Sequence, residues 1–179
     1  MKIKQELIII SDLWGIEKST WLDYYTKSLE NTFNLHFLDS QKLGELNGHT
    51  DSETDIHANF IAHGIDNAVK NLIAMEFEKP TILAFSVGGT IAWKAALNGL
   101  LVQNLFQLSA TRLRYESKKP LGNIHLIYGQ NDPYKPGPEW FKNLQLGYVS
   151  VKNTGHQVYR NKDVAMVTCE RIKDRFSHS

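Results

Sequence analysis

Short apolar runs that alternate with helical patterns along the chain predict an α/β fold. The expected architecture is a three-layer sandwich with helices on both faces of a six-stranded, mostly parallel sheet. Six runs rich in β-branched and aromatic residues have the length of buried strands. Helical stretches separate most of these runs, and such connections favour right-handed crossovers between parallel strands. A chain of 179 residues suits one domain with a substantial core, so we expect a single domain over residues 1–179.

The order of the elements follows from the pattern of each segment. The predicted strands are ELIIIS, FNLHFLD, TILAFS, VQNLFQLS, NIHLIYG and GYVSVKN, in chain order. The predicted helices cover residues 20–31, 53–76, 88–99, 138–145 and 158–176. Thr20 and Asp23 have the spacing of a capping pair at the first helix. Gly64 weakens the second helix by about 1 kcal/mol relative to alanine. Residues 40–50 are predicted to form a loop, and residues 110–122 show no clear helix.

Composition limits the classes of partner and location. The hydrophobic content of 42% and charged content of 22% are ordinary for a globular protein. A net charge of +1 favours neither nucleic acid nor a membrane surface, so we expect neither partner. The single cysteine, Cys169, forms no internal disulfide, and the first apolar run is too short for a signal-peptide core. These features predict a cytoplasmic location and leave the oligomeric state open.

The segment ILAFSVGGTIAW raises the question of why the chain turns sharply around one serine. Ser86 ends the third predicted strand and opens a helix. Small residues at positions 84, 88 and 89 relieve the crowding of such a turn. The Ser86 side chain is then directed into the cleft beyond the carboxyl ends of the strands, beside the Val87 N–H at the helix start. This predicts a nucleophile next to an anion site. The alternative is a tight turn without chemistry, although the glycine-rich phosphate-binding fingerprints are absent.

A serine nucleophile needs a base and an acid that orients the base. Asp132 follows the fifth predicted strand, in YGQNDPYKP, and His156 follows the sixth, in KNTGHQV. Because parallel strands end at the same edge of a sheet, we expect Ser86, Asp132 and His156 to lie together. The alternatives are that Asp132 is only a turn residue before Pro133 and that His156 only caps a backbone group.

The segment AFSVGG and the chain order serine, aspartate, histidine resemble the α/β-hydrolase family. The likeness covers nearly the whole chain and is greatest to small, lidless members, since the span from Ser86 to Asp132 leaves no room for a cap domain. It implies a minimal α/β-hydrolase fold without a cap and a Ser86–Asp132–His156 triad. It also implies an oxyanion hole formed by the backbone N–H groups of Leu13 and Val87, with no cofactor.

One segment departs from the family pattern. In SDLWG, Ser11 and Asp12 occupy the positions where family members often have His-Gly, and Leu13 occupies the donor position. An ionised carboxylate aimed into an oxyanion hole would repel the developing negative charge. We therefore expect Asp12 to turn away, toward the following helix or toward Arg112 or Arg114. We also expect a glycine at this position to preserve activity.

These observations predict a serine hydrolase of the carboxylesterase or thioesterase type, which cleaves an ester, thioester or related acyl bond of a small molecule. Trp14 either lines an acyl pocket or packs in the core. Arg112 and Arg114 either bind an anionic part of the substrate or are solvated charges. His57 and His63 are six residues apart, a spacing that does not align metal ligands on a helix, so we expect no metal site. The alternatives in function are a non-catalytic binding protein and a peptide or amide hydrolase.

Overall fold

The computed structural model describes residues 4–46 and 52–176, and within them six strands form one all-parallel sheet. The strands are β1 (Gln5–Ile10), β2 (Phe33–Leu38), β3 (Thr81–Phe85), β4 (Asn104–Leu108), β5 (Asn123–Gly129) and β6 (Tyr148–Val151). Their spatial order is β2-β1-β3-β4-β5-β6. The chain therefore adds β2 on one side of β1 and all later strands on the other side. The reversal between β1 and β3 creates the crevice in which open α/β sheets bind ligands.

Helices connect the strands. They are α1 (Asp23–Leu29), α2 (Ser40–Leu43), α3 (Glu53–Asn59), α4 (Ile65–Ala74), α5 (Val87–Leu97), α6 (Pro138–Asn143) and α7 (Lys162–Asp174). Short 3₁₀ turns cover Thr20–Leu22, Leu113–Tyr115 and His156–Arg160. In the part of the chain that the structure describes, no helix has the length and apolar character needed to cross a membrane. The predicted three-layer α/β fold with six parallel strands is confirmed.

Two local predictions are wrong in detail. Part of the predicted loop over residues 40–50 is helical, because the Asp39 carboxylate caps α2 by accepting hydrogen bonds from the N–H groups of Gln41 and Lys42. Positions 47–50 of this predicted loop lie outside the described residues. Thr20 and Asp23 do not form a capping pair. Instead, the 3₁₀ turn precedes α1, and Asp23 forms an exposed ion pair with Lys27, 3.5 Å away.

The long helix predicted over residues 53–76 is divided by a widened, π-type turn at Phe60–Gly64. A Cβ atom at Gly64 would lie 2.9 Å from the Leu46 side chain, and one at Gly44 would lie 2.9 Å from the Gly64 carbonyl oxygen. The two glycines therefore allow the backbone at the end of α2 to approach the irregular turn closely. This explains why Gly64 occupies the middle of a helical segment despite its low helix propensity.

The sheet separates two apolar layers. Along β1, Ile8 and Ile10 face a layer formed with α3, α4 and α5, while Leu7 and Ile9 face a layer formed with α1 and α7. All four side chains are essentially inaccessible to solvent. Burial of such a side chain stabilises the fold by roughly 1.5–3 kcal/mol. The resulting double-sided core holds the carboxyl ends of the strands, and the loops that leave them, in a fixed arrangement.

Candidate active site

Ser86 lies at a strained turn between β3 and α5. Its backbone angles are φ 51° and ψ −118°, a region that residues with a side chain rarely adopt. Three hydrogen bonds hold this conformation: the Ser86 N–H donates to the Leu108 carbonyl at 3.1 Å, and the Ser86 carbonyl accepts from Gly89 at 3.0 Å and from Thr111 at 3.2 Å. Backbone strain of this kind persists where the surroundings enforce it, often at functional sites.

Gly88 and Gly89 allow neighbouring loops to approach the start of α5. A Cβ atom at Gly88 would lie 2.5 Å from the Ser11 carbonyl oxygen, and one at Gly89 would lie 2.5 Å from the Ala110 Cβ. Real Cβ atoms essentially never come so close to other heavy atoms. The small residues around Ser86 therefore let the loops after β1 and β4 pack directly against the turn.

Ser86, His156 and Asp132 form a continuous hydrogen-bonded chain. Ser86 Oγ lies 2.9 Å from His156 Nε2, and His156 Nδ1 lies 3.2 Å from each carboxylate oxygen of Asp132. An ionised carboxylate only accepts hydrogen bonds, so Nδ1 carries the donated proton and Nε2 accepts from the Ser86 hydroxyl. The Asp132 side chain is fully buried, whereas that of His156 is 21% exposed. Each residue follows the carboxyl end of its own strand, as the sequence predicts.

The surroundings of Asp132 keep its carboxyl group ionised. The Tyr134 N–H donates to Oδ1 at 2.9 Å. Burial alone raises the pKa of Asp132, but the contacts with His156 and with the Ser109 hydroxyl outweigh burial and hold the pKa below its ordinary value. The Ser109 hydroxyl is itself buried and forms no hydrogen bond of normal geometry with a described residue. An ionised Asp132 can both orient the imidazole and stabilise its protonated form.

The Asp12 carboxylate is bound mainly by residues of the turn that carries His156. Its carboxylate, which is buried, accepts from the Arg160 guanidinium and the Tyr159 hydroxyl, both at 3.1 Å. The expectation of a pairing with Arg112 or Arg114 is wrong. Tyr159 and Arg160 belong to the 3₁₀ turn that starts at His156, so Asp12 links the loop after β1 to the loop that carries the histidine.

Asp12 also shapes its own loop. It accepts from the Trp14 N–H at 3.0 Å, whereas the Ser19 hydroxyl lies 3.4 Å away and donates its proton to the Gly15 carbonyl at 2.6 Å. Burial, followed by the nearby Asp12 charge, raises the pKa of Tyr159 well above its ordinary value, so this hydroxyl remains a hydrogen-bond donor. Loss of the Asp12 carboxylate would leave several buried donors without an acceptor. The expectation that glycine is tolerated at this position is therefore not supported by the packing.

The two predicted oxyanion donors have free N–H groups. Neither the Leu13 nor the Val87 N–H donates to a residue in the described ranges 4–46 and 52–176. Val87 is the first residue of α5, where backbone N–H groups have no partner within the helix and attract negative charge. The Leu13 turn is held from the other side, because its carbonyl accepts from Gln41 at 2.8 Å and the Asp12 carbonyl accepts from Ser40 at 2.6 Å.

A cleft of about 420 Å³ opens beside Ser86 and His156. Its other lining residues are Asp12, Leu13, Trp14, Glu53, Thr54, His57, Thr111, Arg112, Arg114, Tyr115, Tyr134, Gln157 and Tyr159. Every side chain proposed from the sequence as a substrate contact therefore lies at this cleft, which we call the central cleft. The sequence analysis missed Tyr134, whose ring packs edge-on against His156 at 4.8 Å between centroids. The position of Tyr134, two residues after Asp132, is the sequence feature that could have indicated this contact.

Metal-ligating side chains do not cluster in the part of the chain that the structure describes. No group of three or more histidine, cysteine, aspartate or glutamate residues there has an arrangement that could hold a metal ion.

Taken together, the parallel sheet, the strained serine between β3 and α5 and the acid and histidine loops after β5 and β6 define the α/β-hydrolase fold. The amino-acid sequence matches no protein-family model. It has no sequence match among curated proteins either.

Solved structures show the fold clearly. Est1E from Butyrivibrio proteoclasticus, solved with ferulic acid bound, has a TM-score of 0.68 and 12% identity, over 98% of this chain and 91% of Est1E. An α-β serine hydrolase homologue from Coxiella burnetii has a TM-score of 0.65 and 15% identity, over 95% of this chain and 86% of the homologue. A predicted CIB-like hydrolase from Thermoplasma acidophilum has a TM-score of 0.66 and 16% identity, over 97% of this chain and 89% of that hydrolase. At these identities the likeness establishes the fold.

Proposed function

We propose that this protein is a serine hydrolase that cleaves an ester, thioester or related acyl bond of a small molecule. The observation that carries the proposal is the hydrogen-bonded chain from Ser86 Oγ through His156 to the buried Asp132, at 2.9 and 3.2 Å. A hydroxyl, an imidazole and an ionised carboxylate in this order provide a nucleophile, a base and an orienting acid. The relationship in fold to hydrolases supports the same reading.

In the first half-reaction, Ser86 Oγ attacks the acyl carbon while its proton passes to His156 Nε2. The carbonyl oxygen becomes negatively charged, and the N–H groups of Leu13 and Val87 stabilise it. A single donor of this kind is worth roughly 3–4 kcal/mol to the transition state. When the tetrahedral intermediate collapses, the bond to the leaving oxygen or sulfur breaks, and His156 returns the proton to the departing alcohol or thiol.

In the second half-reaction, water replaces the leaving group. His156 takes a proton from water, the resulting hydroxide attacks the acyl-serine, and a second collapse releases the acid and returns the proton to Ser86 Oγ. Asp132 accepts from Nδ1 throughout, which fixes the tautomer and stabilises the imidazolium formed in each half. In this scheme Trp14 borders the acyl group, since it lines the central cleft beside Leu13. No cofactor is required.

Hydrolysis of a panel of small esters and thioesters by the purified protein tests the proposal. We expect turnover by the wild type and none above background with Ser86→Ala, whose loss of a hydroxyl at the cleft leaves the core packing unchanged. Asp132→Asn should lower kcat by up to about four orders of magnitude. Ser117→Ala, which alters an exposed serine, is the matched control and should keep full activity. Equal turnover by the wild type and Ser86→Ala would contradict the proposal.

A further inference from the structure

Two arginines border the central cleft beside the proposed nucleophile. Arg112 and Arg114 both line the cleft that contains Ser86 and His156. Arg112 is half-buried and Arg114 is exposed. A hydrolase that acts on neutral, apolar acyl groups gains nothing from two cations there, because each one must be partly desolvated when such a substrate binds.

The segment that carries the arginines is fixed to the nucleophile turn. The Thr111 N–H donates to the Ser86 carbonyl at 3.2 Å, and the Thr90 hydroxyl on α5 donates to the Thr111 carbonyl at 2.6 Å. Arg112 is the next residue, so its Cα lies about 3.8 Å from the Cα of Thr111, which is hydrogen-bonded to Ser86. Arg112 also has a φ of 59°, in the left-handed region that favours glycine. The chain thus holds a long cationic side chain, rather than a glycine, at a strained position next to the nucleophile.

Neither arginine has a carboxylate partner. None of the ion pairs between described residues includes Arg112 or Arg114. The nearby acid on the same segment, Glu116, is paired with Lys94 at 3.0 Å. Arg112 stacks on Tyr115 at 5.0 Å, and no hydrogen bond from its guanidinium to a described residue is formed. Its five N–H donors therefore remain available to a ligand.

Arg114 is oriented by aromatic neighbours. Its guanidinium lies 4.7 Å from the Tyr115 ring and 5.8 Å from the Tyr134 ring, and it donates to the Tyr134 carbonyl at 3.3 Å and the Tyr115 hydroxyl at 3.2 Å. Tyr134 in turn packs against His156. These contacts hold Arg114 on the side of the cleft near the catalytic imidazole and leave it without a counter-charge.

The charges along the cleft are unequal in sign. Asp12 also lines it, but Arg160 neutralises that carboxylate from behind at 3.1 Å. Glu53, an exposed residue in the first turn of α3, is the remaining acid among the lining residues that the structure describes. Two guanidinium groups that form no ion pair with a described residue therefore line the cleft together with one such carboxylate. The cleft has an excess of positive charge.

We infer that the substrate carries a negatively charged group, a carboxylate or a phosphate, that Arg112 and Arg114 bind while its acyl carbon lies at Ser86. Guanidinium groups recognise these planar or tetrahedral anions through paired, charge-assisted hydrogen bonds. This inference rests on the proposed function and specifies its substrate class. The anion could be attached to the acyl part or to the alcohol part of the ester, and the experiment distinguishes the two.

Steady-state kinetics with matched aryl esters tests the inference. One 4-nitrophenyl ester carries a terminal carboxylate on the acyl chain, and its neutral match has an uncharged chain of equal length. A third ester combines the neutral chain with 4-hydroxybenzoate as the leaving alcohol, and its neutral match has methyl 4-hydroxybenzoate as the leaving alcohol. We expect wild-type kcat/KM to be higher for one of the charged esters than for its neutral match. Arg112→Ala and Arg114→Ala should each lower that value by about tenfold to a hundredfold and change the neutral ester little.

The control variant is Lys118→Ala, which removes one positive charge from an exposed position on the same segment outside the cleft. Lys118→Ala should leave the preference for the charged ester unchanged. Arg112→Lys should keep more of that preference than Arg112→Ala but less than the wild type, because lysine keeps the charge and loses the planar fork. Equal losses on charged and neutral esters, or an equal loss in Lys118→Ala, would overturn the inference.

Binding of the same esters to Ser86→Ala separates this inference from the proposed function. Titration monitored by NMR should show tighter binding of a charged ester than of the neutral one, and the difference should disappear in Ser86→Ala/Arg112→Ala. If the wild type hydrolyses nothing and the arginine-dependent binding remains, the proposed function fails and the anion site stands. If Ser86-dependent hydrolysis occurs without any charge preference in rate or binding, the anion site fails and the proposed function stands.

Discussion

At the scale of single residues, Asp12 shows how a buried acid beside the predicted oxyanion donors can be held by a cation and a tyrosine. Its carboxylate is buried and accepts hydrogen bonds from Trp14, Tyr159 and Arg160, the last two at 3.1 Å. The charge is thereby balanced by a cation. The same bonds join the loop after β1 to the turn that carries His156. We therefore regard Asp12 as a positioning residue for the donor loop.

Asp12→Asn should lower stability and catalysis together. The change keeps the size of the side chain but leaves the half-buried Arg160 without its counter-charge, which should reduce the free energy of unfolding by about 1–3 kcal/mol. A displaced Leu13 N–H should lower kcat for a small neutral ester by about tenfold, with little change in KM, since the donor acts mainly in the transition state.

Urea unfolding and steady-state kinetics measure these two effects, and Asp163→Asn, at an exposed aspartate of α7, is the matched control. An Asp12→Asn protein with unchanged kcat and wild-type stability would show that the contacts of Asp12 do not position the donor loop.

The residues of the site differ in how far sequence predicts them. Ser86, Asp132 and His156 are predictable as neighbours because each one follows the carboxyl end of a parallel strand, and those ends share one edge of the sheet. The partners of Asp12 are not predictable in this way. Arg160 follows His156 by one 3₁₀ turn, and its direction depends on how that turn packs against the loop after β1, which is a property of tertiary structure.

At the scale of elements, the start of α5 is a closely packed part of the fold. It is enclosed by the loops after β1 and β4, and the absence of side chains at Gly88 and Gly89 makes the close packing possible. The six strands were predictable because each is a short run that contains β-branched or aromatic residues and is bounded by turn residues. The π-type turn at Phe60–Gly64 was not, because it follows from a backbone contact with Gly44 that no helical periodicity reveals.

Gly88→Ala should destabilise the protein and impair the site. The added Cβ would lie 2.5 Å from the Ser11 carbonyl oxygen, a backbone atom that cannot rotate away. The start of α5 must then move relative to the loop after β1, which separates the two oxyanion donors. We expect a loss of about 1–3 kcal/mol in the free energy of unfolding and a lower kcat.

Gly137→Ala is the matched control, because nothing lies within 4 Å of a Cβ at that position. Denaturant unfolding and ester hydrolysis of both variants provide the comparison. If Gly88→Ala behaves like Gly137→Ala in stability and rate, the close packing described for the elbow has no energetic importance.

At the scale of the whole molecule, the double-sided core fixes the sheet edge on which the site is built, and the site in turn affects global stability through Asp132. The pKa of this carboxyl group is held below its ordinary value of 3.8 in the folded protein. The folded state therefore binds this proton less readily than the unfolded chain does. The stabilisation that Asp132 provides is complete above about pH 4 and is lost as the pH falls through the folded value.

Comparison of the wild type with Asp132→Asn isolates this effect. The difference in their free energies of unfolding should become smaller as the pH falls below about 4, because the carboxyl group is then protonated in the folded protein as well. Urea unfolding at a series of acidic pH values measures it. A difference that does not become smaller below about pH 4 would mean that the folded state does not hold the pKa of Asp132 below its ordinary value, contrary to the description of the site.

The central claim of this account is that the fold activates the Ser86 hydroxyl as a nucleophile. Reaction with a fluorophosphonate, followed by intact-protein and peptide mass spectrometry, tests it without knowledge of the substrate. Such a reagent phosphonylates an activated serine and releases fluoride. We expect one adduct per chain, located on Ser86, which is lost in Ser86→Ala and in urea-unfolded protein and forms much more slowly in His156→Ala. A folded wild-type protein that forms no adduct, or an adduct that persists in Ser86→Ala, would contradict the claim.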